Sequence, residues 1–332
     1  MPSLPPVPPP QSLDSATRTR AGAGARMGGG LAMLSRERLW QLQHKLAPYL
    51  FLSPFVILFC CFMLYPLGRS IMLSLYKSVG PGKLQYVGMG NYRYLVTDRI
   101  FWASVANTTY FTTLFLTLQV PIALGLAVLL NSKLLKFRNF FRFAFFSSHL
   151  VGMVFVAIIF GLMLAQRHGL INKMIGFFFP FIGTELNWFA DPKLAMPAVV
   201  IAALWISVGY AMVYLLAALQ SVDQELYEAA EVDGASKWQQ FRHVTLPGIR
   251  PVLIFLILVG TIGGYQLFEL PYVLFHGVWT NYAITIVTYL FQMGFEAGDI
   301  GYASAIGWAL VVIIFVVSLI QLKVARARED VA

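Results

Sequence analysis

Six stretches of this chain are each long and apolar enough to cross a bilayer as a helix, and nothing else in it constrains the fold as strongly. Crossing the hydrocarbon layer takes about 20 apolar residues in helical form. The stretches run Tyr49–Leu73, Val105–Leu130, Phe143–Leu164, Met196–Leu219, Pro251–Phe275 and Tyr302–Leu322. They are unbroken blocks rather than amphipathic stripes, which predicts an all-α polytopic bundle of six transmembrane helices. Prolines such as Pro54, Pro66 and Pro121 interrupt them, which membrane helices tolerate when neighbours satisfy the freed backbone groups. A seventh run, Ala283–Phe291, is too short to span and predicts an interfacial or re-entrant segment.

The charge distribution sets the expected orientation. Only 12% of residues are charged, against about a quarter in soluble domains. The formal charge of +9 could suggest nucleic-acid binding, but Lys and Arg beside membrane spans hold their loops on the cytoplasmic side. With the N-terminus inside, sixteen of the 24 basic residues fall on the inner side, and the last outer loop, Gly277 to Gly301, carries none. Both termini are therefore expected in the cytoplasm. Residues 1–35, rich in Pro, Gly, Ser and Arg, read as a disordered tail without a secretory signal's apolar region. The membrane domain is expected over 36–325, with a short tail over 326–332. Cys60 and Cys61 are adjacent within the first block. Neighbouring cysteines form no ordinary disulfide framework, so these are expected to pack against lipid or other helices.

Between the fourth and fifth blocks, residues 221–247 read as two short helices joined by a glycine. Asp223 is placed to cap the first, with Glu225 and Glu228 in its opening turns, where the helix dipole favours negative charge. Gly234 supplies the left-handed residue that ends it. Ser236 is placed to cap the second helix and Pro247 to end it, with Gln239 as a plain surface position. Small Ala229 and Ala230 would let another protein approach the backbone, and the carboxylates beside them suit basic residues; an amphipathic surface hairpin that simply links two spans fits the same pattern equally well.

Glu228-Ala229-Ala230, three residues, Gly234, nine residues, Val244, one residue and Leu246-Pro247 resemble the EAA loop of bacterial ATP-binding-cassette importer permeases. Val87-Gly88-Met89-Gly90-Asn91-Tyr92, Phe101-Trp102, Asn107-Thr108, Trp188-Phe189-Ala190-Asp191-Pro192 and Gly301-Tyr302-Ala303-Ser304-Ala305 resemble the carbohydrate-uptake members, of the maltose and glycerol-phosphate type, over roughly residues 46–325. The resemblance implies an inner-membrane permease subunit with no catalysis or cofactor of its own. Its implied partners are a second permease, as a heterodimer, two ATP-binding subunits that use ATP and Mg, and an extracellular or periplasmic sugar-binding protein. Glu228, Ala229, Ala230, Asp233, Gly234, Leu246 and Pro247 would couple to the ATPase. The chain departs from many relatives at Phe275-His276-Gly277-Val278-Trp279 and at Phe146-Ser147-Ser148, in the outer loop and along the path.

Polar side chains inside a span are expensive and usually face a bundle interior or a water-filled cavity. Ser147, Ser148, His149, Ser207, Tyr210, Tyr265, Gln266 and Glu269 are such residues. By resemblance to maltose-type permeases, Ser148, Gly152, Ser207, Tyr210 and Gln266 would contact sugar; hydrogen bonding between helices is the plainer role for each. Glu269 is expected near the outer surface. No phosphate-cradling Gly-x-x-x-x-Gly-Lys-Ser/Thr loop occurs, so ATP hydrolysis would reside in a partner. Two rival readings are an ion- or proton-coupled secondary transporter, which should show repeats and midplane carboxylates, and an intramembrane enzyme built on His149 with Ser147 or Ser148. Neither accounts for the 221–247 loop.

Overall fold

The computed structural model describes residues 40, 45–80, 82–132, 135–179, 186–277 and 280–327. The expected tail 1–35 and residues 328–332 of the second tail lie outside them. The chain divides into two compact units, one up to Arg69 and one from Ser70 onward. Helix α1, Lys45–Leu73, straddles that division. A π-turn at Cys60–Leu64 carries both cysteines, free and exposed.

The second unit begins with a hairpin of β1 (Tyr76–Ser78) and β2 (Leu84–Tyr86), antiparallel, with Tyr76 opposite Tyr86. The helices that follow are α2 (Gly90–Thr97), α3 (Arg99–Asn131), α4 (Arg138–Ser147), α5 (Met153–Met163), α6 (Leu170–Phe178) and α7 (Ala195–Ser221). They continue with α8 (Gln224–Val232), α9 (Lys237–Tyr265), α10 (Glu269–Leu274), α11 (Ile286–Phe291) and α12 (Ile300–Ala327). Five of these, α1, α3, α7, α9 and α12, are long and apolar enough to cross a membrane. The short α11 within Ala283–Phe291 does not reach that length.

The third block, expected as one span over Phe143–Leu164, is broken. It is a helix pair, Arg138–Leu150 and Met153–Met163, bent by 99°. Ser147 and Ser148 turn their hydroxyls back onto the carbonyls of Ala144 and Phe145, both at 2.8 Å, and such back-bonding competes with the regular ladder. The chain then tightens into a 3-10 turn at Ser148–Leu150 and runs extended through Val151 and Gly152. The fifth block breaks too: α9 ends at Tyr265, and the helix resumes only at Glu269.

Small residues hold the bundle together, because lipid provides no hydrophobic drive between helices and close backbone approach must supply the packing. Ala123 and Ala127 of α3 share a buried cluster with Ala211, Leu215 and Ala218 of α7. A Cβ on Gly209 of α7 would stand 1.9 Å from the Phe145 carbonyl oxygen, and one on Gly264 of α9 would stand 2.6 Å from Thr112 Oγ1.

At the end of the bundle away from residues 221–247, polar side chains act as fasteners. Asn91 donates to the carbonyls of Ser74 and Tyr76, and Asn107 to those of Asn281 and Ile284. Trp188 Nε1 donates to Asn172 Oδ1 at 2.6 Å. Asp98, 7% exposed, caps α3 through Ile100 N and accepts hydrogen bonds from both Tyr289 and Tyr302. Burial first, and then the bond to Asp98, push the Tyr289 phenol above its usual range. It therefore stays a donor throughout the physiological pH range.

Candidate functional site: a helical loop and two broken spans

The 221–247 segment folds as the sequence predicts in its first half. Asp223 Oδ1 accepts from Glu225 N at 3.0 Å. Gly234 is left-handed at φ 76°. Ala235 N donates to Ala230 O at 2.9 Å and Gly234 N to Glu231 O at 3.1 Å, the paired bonds of a Schellman ending. Glu228, Ala229, Val232 and Asp233 face solvent. The ion pair of Glu231 with Lys237, at 3.9 Å between largely exposed side chains, adds little.

The second half corrects two expectations. Gln239 is not a plain surface position: its side chain accepts from Ser236 N at 2.8 Å, while its backbone N donates to Ser236 Oγ at 3.4 Å, closing a capping box. Nor does Pro247 end the helix. A π-turn at Phe241–Thr245 carries the chain straight into the fifth span. Proline lacks an N–H to donate in the first turn after such a wide turn, so little is lost there. Helix α9 is therefore continuous over 29 residues, about 43 Å along its axis at 1.5 Å per residue, with Pro251 inside it.

The loop is fixed to the spans at its base. Tyr227 OH and Thr245 Oγ1 lie 2.9 Å apart, and a Cβ on Gly248 would stand 2.8 Å from Val222 Cγ2. Gln240, buried, donates to Ala235 O. A displacement of α8 must therefore move the adjoining ends of α7 and α9.

The residues expected along the path gather at the two breaks and on the helix between them. Non-helical backbone at membrane depth is tolerated where it is buried in protein or lines a cavity. Ser148 and Gly152 flank the bend in the third span, and Gln266, exposed, stands where α9 stops. Ser207 and Tyr210 share one face of α7. Ser207 Oγ donates to Ala203 O at 2.6 Å, as Ser148 does to Phe145 O, so both hydroxyl protons serve their own helices. Ser148 lines an apolar cavity of about 390 Å³ with Ile122, Leu126, Phe145 and Trp205, which Ser207, Tyr210 and Gln266 do not reach.

His149 takes the position beside Tyr210. Its Nδ1 lies 3.3 Å from Ile206 O, and its ring stacks on Tyr210 with centroids 4.8 Å apart. Tyr210 lies 4.7 Å from Tyr214, and Tyr214 stacks on Phe255 of α9 at 5.8 Å. From Phe255 an open stripe climbs α9 at helical spacing through Val259 and Ile262, 41% and 39% exposed, to Gln266. Tyr214 and Phe255 were not among the expected path residues. Their aromatic character alone is common in spans, and only the i, i+4 spacing from Tyr210 to Tyr214 hinted at a ladder. A half-buried Tyr210 beside an exposed Tyr214, His149 and Gln266 does not suit contact with acyl chains. This face suits water, a polar solute or another protein. Glu269, the carboxylate found within the fifth block, is exposed at the start of α10.

Over residues 119–329 the chain matches the family described as binding-protein-dependent transport system inner membrane component. It is 38% identical over 282 residues to the arabinooligosaccharides transport system permease protein of Bacillus subtilis strain 168, covering 85% of this chain and 89% of that one. It is 34% identical to the lactose transport system permease protein of Rhizobium radiobacter, covering 90% and 100%. Its fold matches a chain in the crystal structure of a bacterial alginate ABC transporter in complex with its alginate pentasaccharide-bound periplasmic protein. That match has a TM-score of 0.75 at 25% identity and covers 87% of this chain and 98% of the other.

Proposed function

The chain belongs to the binding-protein-dependent transport system inner membrane components, and from that membership we propose that it is one permease subunit of an ATP-driven importer of an oligosaccharide or glycoside. The observation that carries this reading is the unbroken helix from Lys237 to Tyr265, which joins the 221–247 loop directly to the break at Gln266. In this reading a separate ATPase, using ATP and Mg, receives Glu228, Ala229, Ala230, Asp233 and Gly234 in a cleft, while Leu246 and Pro247 seat the loop on the fifth span. Closure of the ATPase tilts α9 as a rod and moves its open stripe relative to α7. A second permease faces the His149–Tyr210–Tyr214–Phe255 ladder across the path, and a soluble binding protein delivers the solute at the Asp98 end.

The ladder suits a sugar. Aromatic faces cover the C–H surfaces of a pyranose or furanose ring, while Tyr hydroxyls and the Gln266 amide serve its hydroxyls. Tyr210→Ala and Gln266→Ala are expected to lower uptake in proteoliposomes about two- to tenfold each, the worth of one hydrogen bond, with basal ATPase unchanged. Tyr210→Phe should retain most of the stacking contribution. Normal uptake with an unchanged range of sugars in both alanine variants would make these residues structural.

Orientation follows from the basic residues. Reporter fusions after Lys136 and after Pro247 should read cytoplasmic and one after Lys173 external. A periplasmic signal from the Pro247 fusion would overturn this topology.

A further inference from the structure

Arg142 stands where α4 meets the ends of α3 and α7. Its Nη2 donates to Leu130 O at 3.1 Å, in the last turn of α3, where the helix dipole favours a cation. Its Nε is buried without a partner, and no carboxylate pairs with it among the described residues. A half-buried guanidinium with one carbonyl for company is poorly compensated and attracts an anion.

The surroundings say which anion. Arg142, Phe143, Val213, Leu216, Ala217 and Gln220 line a groove of about 380 Å³ between α4 and α7. Its walls are apolar, with the guanidinium and the Gln220 amide at the end nearest the loop. Beside it Phe137, Phe140 and Phe143 are all exposed, and the exposed Lys136 and Arg138 flank Phe137. Exposed basic residues at a span's end, followed at once by open apolar rings, mark where the chain passes from the headgroups into the hydrocarbon of a bilayer. An anion met at that depth, above an apolar groove, is a lipid phosphate.

We propose that this groove is a binding site for an anionic glycerophospholipid, its phosphate on Arg142 and an acyl chain along Val213 and Leu216. The planar guanidinium fork serves a carbonyl and a phosphate oxygen together. Basic grooves between spans at the membrane surface favour anionic over zwitterionic headgroups. Gln220 is placed to donate to an ester carbonyl or headgroup hydroxyl. The site is independent of which solute the transporter carries.

The test uses the intact transporter, taken from nanodiscs of phosphatidylcholine alone or with phosphatidylglycerol, and counts retained lipid by native mass spectrometry after washing. The wild type should retain phosphatidylglycerol in preference to phosphatidylcholine, and excess inorganic phosphate should not displace it. Arg142→Gln should retain about tenfold less, whereas Arg326→Gln, an equal charge change at an exposed position, should match the wild type. Ala217→Trp fills the groove and leaves the Arg142 cap on Leu130 intact, so it should also lose the lipid even if Arg142→Gln assembles poorly. Equal retention by Ala217→Trp and the wild type, or equal retention of the two lipids, would overturn the site. So would a photo-activatable residue at Ala217 that captures a neighbouring subunit instead of lipid.

Discussion

Gly209→Val is expected to yield almost no assembled protein, while Gly263→Ala, on the neighbouring span, yields normal amounts. The difference lies in what a Cβ would meet. At Gly209 it would stand 1.9 Å from the Phe145 carbonyl oxygen and 2.5 Å from its carbon, whereas at Gly263 nothing lies within 4 Å. A flexible side chain could swing away; a carbonyl on a packed helix cannot. Helix α4 must back off from α7, which parts His149 from Tyr210 and opens the cluster behind them. Overpacking commonly costs about 1–3 kcal/mol and more where backbone is the obstacle. Gly263→Ala relieves a helical glycine and is worth up to about 1 kcal/mol in the favourable direction. Thermal melting and size-exclusion yield of the purified complex check both. A normal yield and melting temperature for Gly209→Val would mean that α4 does not cross α7 this closely.

Glu228→Lys is expected to release the ATPase subunit, and Gly234→Val to leave it bound but uncoupled. Glu228 is exposed on α8 with no ion-pair partner among the described residues, so its charge is available to a basic residue of the ATPase cleft. In the proposed docking the pair would be buried, and reversing one member would cost at least the roughly 3–5 kcal/mol of an uncompensated charge. That exceeds a hundredfold in association. Gly234 acts differently. A Cβ there meets nothing within 4 Å, but the left-handed φ of 76° costs a branched residue about 1–2 kcal/mol. Relieving that strain would reorient α8 against α9 and pull Tyr227 away from Thr245, so that the proposed cleft could still be filled while the push would no longer reach α9. Gln224→Ala, on an exposed position of the same helix, should bind and couple normally. Gln239→Ala is a poorer neutral control, because it removes the bond its side chain accepts from Ser236 N, worth about 0.5–1.5 kcal/mol. Co-purification of the ATPase with each variant separates the two effects.

The spans and the loop were legible in the sequence because continuous apolar length and cap chemistry are local properties. Asp223, Gly234 and Ser236 each do what their residue types dictate. The breaks were not legible as breaks: an apolar block shows that a segment is buried, not whether its backbone stays helical. Ser147, Ser148 and Gln266 marked the positions by polarity, but the 99° bend needs the neighbouring α7 to hold it. Pro247 misled for a related reason, since the π-turn before it lets the helix pass a residue that usually stops one. Asp98 lay outside every apolar block, and only the fold brings Tyr289 and Tyr302 onto it from residues about 200 positions away. The segments that resemble carbohydrate permeases contain several of these fasteners, Asn91, Asn107, Trp188 and Tyr302. Part of that resemblance therefore records how the end of the bundle is built rather than what passes through it. Ser148 stands apart from the ladder, and its neighbour His149 occupies the position the expected set gave to a serine.

Sugar import coupled to a partner's ATP hydrolysis is tested most directly by reconstituting this chain with a second permease and the ATPase in liposomes and adding the sugar-loaded binding protein. Uptake of a labelled oligosaccharide that the binding protein carries and phosphate release are followed together. The predicted result is hydrolysis stimulated by the loaded binding protein, with sugar accumulating only when ATP is present, and both signals lost in Glu228→Lys. Sugar accumulation driven by an ion gradient without ATP, or stimulated hydrolysis that is unchanged in Glu228→Lys, would contradict it.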